Sequence, residues 1–429
     1  MDALAETNTV AAGPQPRAAL VINGGHVVLP TAIIKDAAIL IDGGRIARIG
    51  TRDEFRGLGV QTLEATRALI MPGLIDTHND GLEGEVNPRP GVNFQREFAL
   101  WNYERRSVAA GVTTSFHAIS FATIMRKSRS VDGAAALSQV IRSAGPGRSL
   151  DHQILHRLDV YTPEGLDPVF ESIDGCQWKV ISLNDHTPGQ GQYRDLAQYR
   201  KTIAAYQSLN PDAFGGFGDT GGRTIDDEVQ ARIRDREERR HVKEAIYDRV
   251  QAEAAKRRFV LMSHDDDTAE KTDLMRRVGC TISEFPVSIE AASRARELGM
   301  WITVGAPNIV RGGSTSGNQS ARELVSKGLA DIICADYHAP SMLYAAFKLA
   351  REGVCDLVSA IAMVTANPAK AFGMTDRGRI ATGLRADLCV MLENHELPVV
   401  QTVIRGGDIV FASWPTARSP APVTVGAHS

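Results

Sequence analysis

The sequence predicts an α/β fold: a (β/α)8 barrel of the TIM type, carrying a small β-sandwich formed by both chain ends. Three observations predict it. The 429 residues suffice for a barrel of roughly 250–300 residues plus a smaller module. The middle of the chain alternates short apolar runs with helical stretches, the grammar of parallel βα units. The two ends share a different grammar, of short alternating runs split by glycine and aspartate turns.

The first half of the sandwich is expected over 18–70. There Ala19-Leu20-Val21-Ile22 leads through Gly24-Gly25 to His26-Val27-Val28-Leu29, and Ala37–Ile41 runs into Asp42-Gly43-Gly44. The second half, 374–412, repeats this with 387–392, 399–404, Arg405-Gly406-Gly407 and 409–411. Neither half can bury a core alone, so the ends are expected to pair. The barrel is expected over 71–373, with strands at 73–77, 112–115, 153–160, 179–184, 259–263, 281–284, 301–305 and 331–335. Residues 188–258 are long enough for an insertion, with Gly215-Gly216-Phe217-Gly218 breaking it. The charged run Arg232–Arg240 reads as a solvated helix face. Segments 1–17 and 413–429, rich in small residues and proline, read as arms.

Bulk properties narrow the function. Net charge is −3, so no global basic field attracts nucleic acid. No apolar run reaches the ~18 residues of a membrane span. Cys176, Cys280, Cys334, Cys355 and Cys389 are odd in number and contain no CxxC, which suits free thiols in a reducing compartment. Residues 1–16 lack the basic-then-apolar pattern of a secretory signal, and the cytoplasm is the expected location.

A TIM-type barrel works at the C-terminal ends of its strands. The residues following the expected strands are Asp76-Thr77-His78-Asn79-Asp80, Asp159, Asn184-Asp185-His186, Ser263-His264-Asp265-Asp266, Glu284, and Asp336-Tyr337-His338. A lone histidine is more often a hydrogen-bonded structural residue. Histidine or carboxylate at six ends of one rim is costly to bury without a cation. One or two divalent ions per subunit resolve that cost, with zinc the first expectation and manganese or iron the alternatives.

The stretch Met71-Pro72-Gly73-Leu74-Ile75-Asp76-Thr77-His78, in this setting, resembles the amidohydrolase superfamily. Its members usually carry His-x-His after strand one, whereas Asp80 stands here in place of the second histidine. That departure resembles the PhnM family of phosphonate metabolism. So do Pro88-Arg89-Pro90, Asp185-His186-Thr187-Pro188-Gly189-Gln190, Ser263-His264-Asp265-Asp266, Glu284-Phe285-Pro286, the long run Gly305-Ala306-Pro307-Asn308-Ile309-Val310-Arg311-Gly312-Gly313-Ser314, and Ser316-Gly317-Asn318. The resemblance implies metal ligands at His78, Asp80, His186 and His264. It matches Asp159 to a carboxylate able to bridge two ions, though shorter than the usual glutamate. It also makes Asp336 a ligand that shuttles the proton of the attacking water. Asp76 is expected to be structural, and His152 and His156 to face helices.

An anion site is expected beside the rim. Glycines let backbone N–H groups approach a phosphate, so the loop Asn308, Arg311, Gly312, Gly313 and Ser314 is its candidate, with Arg311 as clamp. Flanking prolines help hold Arg89, and Gln190 and Asn318 offer further donors. The alternative is a flexible loop with a solvated arginine. The resemblance implies a phosphoanhydride hydrolase acting on a small phosphorylated sugar, α-D-ribose 1-methylphosphonate 5-triphosphate, and releasing pyrophosphate. A homo-oligomer is expected. C–N bond hydrolysis on the same scaffold, and a non-catalytic binding subunit, are the competing readings.

Overall fold

The computed structural model describes residues 18–89, 91–122, 129–145, 147–209, 224–313, 317–392 and 397–413. The expected arms, save Ser413, lie outside the described residues, as do the 215–218 glycines and Ser314. The N-terminal strands are β1 (Leu20–Val28), β2 (Ile33–Asp42), β3 (Arg45–Thr51), β4 (Gln61–Glu64) and β5 (Ala68–Pro72). Then come β6 (Leu74–Asn79), β7 (Val112–Phe121), β8 (Asp151–Asp159), β9 (Val180–Asn184), β10 (Val260–His264), β11 (Ile282–Glu284), β12 (Trp301–Gly305) and β13 (Ile332–Cys334). The chain ends in β14 (Leu388–Leu392), β15 (Val399–Arg405) and β16 (Asp408–Ala412).

Strands β6 to β13 pair in sequence order, all parallel, with helices between them. The barrel is closed by main-chain bonds between its first and last strand ends. The Asp80 amide donates to the Asp336 carbonyl at 2.7 Å, and the Asp336 amide to the His78 carbonyl at 3.0 Å. Side chains alternate along a strand, so every second residue enters the barrel. Ile75, Phe116, Leu155, Val180, Met262 and Ile282 fill its floor as one apolar cluster. Stepping by two from that floor gives Arg157 and Asp159 on β8, Ser182 and Asn184 on β9, His264 on β10 and Glu284 on β11. The polar rim is thus a consequence of strand periodicity above a packed floor. The other face of each strand packs beneath the helices.

The chain ends form the second sheet, in the order β16-β15-β14-β5-β1-β2-β3, with β4 on β1. Ile22, Ile39, Ile70, Leu388, Val390 and Ile404 share one core, joining residues more than 300 positions apart. Two glycines permit the join. At Gly407 (φ +88°) a Cβ would lie 2.7 Å from Gly44 Cα, so the two terminal turns touch backbone to backbone. At Gly73 a Cβ would lie 2.3 Å from Thr113 Cγ2. There the chain leaves the terminal sheet, donating its amide to the Asp387 carbonyl at 2.9 Å, and enters β6 one residue later. No helix among the described residues is long and apolar enough to cross a membrane.

Candidate active site

Three groups of ligand-type side chains meet at the barrel mouth. His78, His264 and Glu284 form one; His186, His264 and Asp265 a second; His78, Asp80 and Asp336 a third. Within each, one ligand atom per residue lies within 4.8 Å of the others. Sharing of His264 and His78 makes the three continuous. The rim therefore brings together His78, Asp80, His186, His264 and Asp336.

Asp76, wholly buried, ties the first and last strands together. Its Oδ1 accepts from the Ala335 amide at 2.9 Å and the His78 amide at 3.3 Å, and Oδ2 accepts from Asn79 Nδ2 at 2.8 Å. Burial lifts its pKa to about 6. Three residues in the left-handed region turn the chain at the rim: Asp265 (φ 54°), Phe285 (φ 54°) and Asp336 (φ 57°). Such conformations in non-glycine residues cost about 1–3 kcal/mol each and collect at functional sites.

Two residues at the centre exceed what the sequence assigns: Glu284 is expected only as a rim carboxylate with no ligand role, and Arg157 is not singled out. Glu284, buried completely, accepts from Ser182 Oγ at 3.0 Å and lies 2.8 Å from His78 Nδ1. Burial would hold the His78 ring neutral, and the Glu284 carboxylate overrides it, lifting the pKa to about 10. The signal for Glu284 was its place at the end of the sixth barrel strand. Arg157 lies under Asp80: Nη1 donates to Asp80 Oδ1 at 2.8 Å, while Nε and Nη2 both donate to Asn184 Oδ1. Burial disfavours the Asp80 charge, but Arg157 holds its pKa well below the usual range. Asp336 goes the other way, pushed up to about 6 by burial with Asp80 adding to it and His78 opposing.

The side chains fit a divalent cation. His264 Nδ1 and Asp265 Oδ2 are buried 2.9 Å apart, yet neither has a hydrogen bond of acceptable geometry. Such orphaned atoms are costly unless a further partner satisfies them. Imidazole and carboxylate together suit zinc, manganese or iron.

Asp159 joins none of these groups. Its Oδ1 accepts from the Tyr161 amide at 2.8 Å and lies 3.9 Å from Arg236 Nη1. Arg236 belongs to the helix Ile225–Glu238, and the next helix, Arg240–Arg257, sends Lys243 to Asp185 at 3.2 Å. Arg239 donates to the Tyr161 carbonyl at 2.7 Å. The run read as a solvated face thus presents Arg236 and Arg239, with Lys243 just beyond it, to the barrel mouth, and Asp159 anchors that contact.

The expected phosphate loop is also different. Residues Ala306–Arg311 form a helical turn, capped by Gly312 at φ +82°. The amides of Gly312 and Gly313 both donate to the Asn308 carbonyl at 3.1 Å, so they are spent on ending the helix. The Asn308 side chain is spent too, accepting from the Ala321 amide at 3.0 Å and donating to the Gln319 carbonyl. Asn318 donates to the Gln192 carbonyl at 3.2 Å, tying two rim loops together. Gln190 starts the short helix Gly191–Tyr193. Arg311 and Arg89 are exposed. His152 and His156 face helices, as expected: His152 contacts Glu104 at 3.0 Å and His156 contacts Ser172 Oγ at 2.9 Å. His117 joins His152 at 2.9 Å, outside the mouth.

The closed parallel barrel with an imidazole–carboxylate mouth defines a hydrolase scaffold of the metal-binding kind. Comparison with known proteins places it further. The amidohydrolase family profile matches residues 227–410. Over 403 residues the chain is 30% identical to the alpha-D-ribose 1-methylphosphonate 5-triphosphate diphosphatase of Escherichia coli K12, covering 91% of this chain and 100% of that one. A β-aspartyl dipeptidase from Fervidobacterium islandicum AW-1 superposes with a TM-score of 0.59 at 16% identity, covering 92% of this chain and 97% of its own. An enamidase does so at 0.58 and 16%, covering 92% and 96%. The chain belongs to the amidohydrolase superfamily, within the PhnM family.

Proposed function

We propose that this protein is a metal-dependent diphosphatase that cleaves a phosphoanhydride bond of α-D-ribose 1-methylphosphonate 5-triphosphate, releasing pyrophosphate. The observation that carries the reading is the end-to-end likeness to the Escherichia coli diphosphatase, 30% identical with all of that chain covered. The Asp80 mouth in place of a second histidine accords with it.

His78, Asp80, His186, His264 and Asp336, joined by Glu284 and Asp265, would hold one or two divalent ions. Zinc is the first choice. A divalent ion supplies acidity to water, drawing its pKa towards roughly 7. Asp336 accepts the proton of the attacking water: burial raises its carboxylate above the ordinary range, which makes it a better base. Asp76 holds the start of β6 against the end of β13, which fixes Asp336 relative to His78. Arg157 keeps Asp80 ionised and oriented. Glu284 orients the His78 ring through Nδ1, leaving Nε2 towards Asp80 at 3.7 Å.

The test is a substrate panel on metal-loaded protein, read for pyrophosphate from the ribose 5-triphosphate and for ammonia or new carboxylate from cyclic amides and aminopurines. Pyrophosphate release that disappears in Asp336→Asn, with metal content retained, supports the reading. Ammonia release without pyrophosphate replaces it with C–N hydrolysis, the chemistry named for the deaminases that match short stretches of this chain.

A further inference from the structure

A cavity of about 370 Å³ opens beside the metal-ligand groups and shares Asp80 with them. That volume lies in the range of small-molecule sites. Its wall holds two arginines that the sequence reading did not single out, Arg96 and Arg129, with Asn87 and Asn93 as neutral donors. The residues first expected to bind anions, Arg89 and Arg311, do not line it.

The charges in this cavity are arranged to receive an anion. Asp80 is already neutralised from below by Arg157 at 2.8 Å. Glu83 is ion-paired with Arg129, and both side chains are mostly buried. A guanidinium has five donors, so the pairing fixes Arg129 in place and leaves donors over. Arg96 makes no ion pair among the described residues and stands in the first turn of the 14-residue helix Arg96–Ala109. Ser130, also in the wall, caps the helix Val131–Ser143 by accepting from the Gly133 amide at 3.0 Å, so its own hydroxyl hydrogen is available to donate. Both helices begin at this cavity, and the positive ends of their dipoles add to the two cations.

We propose that this cavity is the anion subsite next to the reacting centre, that Arg129 and Arg96 determine specificity for a phosphoryl or phosphonyl group, and that Glu83 tunes the grip of Arg129. The identity of the anion rests on the diphosphatase reading; the binding of an anion here does not. The substrate presents two such groups, its terminal phosphates and its methylphosphonate, and the cavity chemistry serves either.

Calorimetric titration of metal-loaded protein with inorganic pyrophosphate, and separately with methylphosphonate, tests the subsite without turnover. Removal of charge-assisted hydrogen bonds by Arg129→Met weakens binding of at least one probe about 10–100-fold, with metal content unchanged. Arg96→Met weakens the same probe less, because Arg96 is more exposed. Which probe responds names the end of the substrate that enters. Glu83→Gln separates a clamp from a mere structural pair. It breaks the same ion pair, but frees Arg129 and removes a nearby negative charge, so binding is kept or tightened. If Arg129→Met and Glu83→Gln weaken binding alike, Arg129 is structural and the proposal falls. It also falls if neither arginine variant alters either probe. Turnover of the panel above reports on the diphosphatase reading independently.

Discussion

Asp159→Asn separates a metal ligand from an anchor. The carboxylate lies 3.9 Å from Arg236, a gross attraction of about 4 kcal/mol at an effective dielectric of ~20. Yet burial, opposed by Arg236, still leaves the Asp159 pKa above its ordinary value. The folded environment therefore disfavours the charge on balance, and removing it loses little. Asparagine keeps an acceptor for the Tyr161 amide, now at 2.8 Å. The net cost should be below about 1 kcal/mol, or a melting shift of no more than roughly 2–4 °C. Metal per subunit, measured by mass spectrometry after dialysis against a weak chelator, should match the unmodified protein. His264→Asn and Glu284→Gln, treated alike, should lose metal. If Asp159→Asn sheds metal as His264→Asn does, the distinction drawn from the geometry is wrong.

Other outcomes follow from single contacts. His156, fully buried, has its pKa lowered from 6.5 to about 4 by burial, so the unfolded chain takes up the proton first as pH falls. The stability conferred by the neutral ring is present above pH 6.5 and lost towards pH 4. Between about pH 7.5 and 5.5 the unmodified protein should lose about 1.4 kcal/mol more than His156→Gln in denaturant titrations, and a pH-independent difference would refute the assignment. Arg157→Met strands the Asp80 charge and should cost about 3–5 kcal/mol without metal, less with it. Thermal melts with and without added zinc or manganese would show that rescue, and equal losses in both would contradict it. Gly73→Ala should cost about 1–3 kcal/mol through Thr113, and Thr113→Ala in the same chain should return part of it. Strict additivity in that double-mutant cycle would disprove the clash.

Much of this architecture is legible in the sequence because parallel barrel strands, buried on both faces, read as apolar runs. All eight expected barrel strands are present, and the terminal hairpins announce themselves by turns such as Asp42-Gly43-Gly44. What escapes is set by tertiary packing. Arg157 and Asp159 share one face of β8. A search for ligands selects the carboxylate, although the arginine two residues earlier reaches Asp80. Asn308 to Gly313 reads as a glycine loop because a helix cap and a phosphate loop use the same residue types. Only the Asn308 carbonyl, taking both glycine amides, decides between them. The charges of Arg236 and Arg239 read as solvated because docking of their helix on the mouth has no local signature.

The rim shows how the fold meets the cost of its chemistry. Left-handed turns at Asp265, Phe285 and Asp336 are unfavourable, and so is the burial of Glu284 and His78 side by side. The offset lies just below, in the packed floor around Phe116 and Met262 and in the Asp76 bonds that close the barrel. Because the chain is joined by main-chain bonds at or just beyond the ends of β6 and β13, any backbone displacement of Asp336 must also break its bonds with His78 and Asp80. On the proposed roles, ligand and base are therefore coupled through the backbone. Substitutions that open this seam should lower metal affinity and turnover together, whereas those of Arg129 or Arg96 should weaken anion binding with metal affinity unchanged.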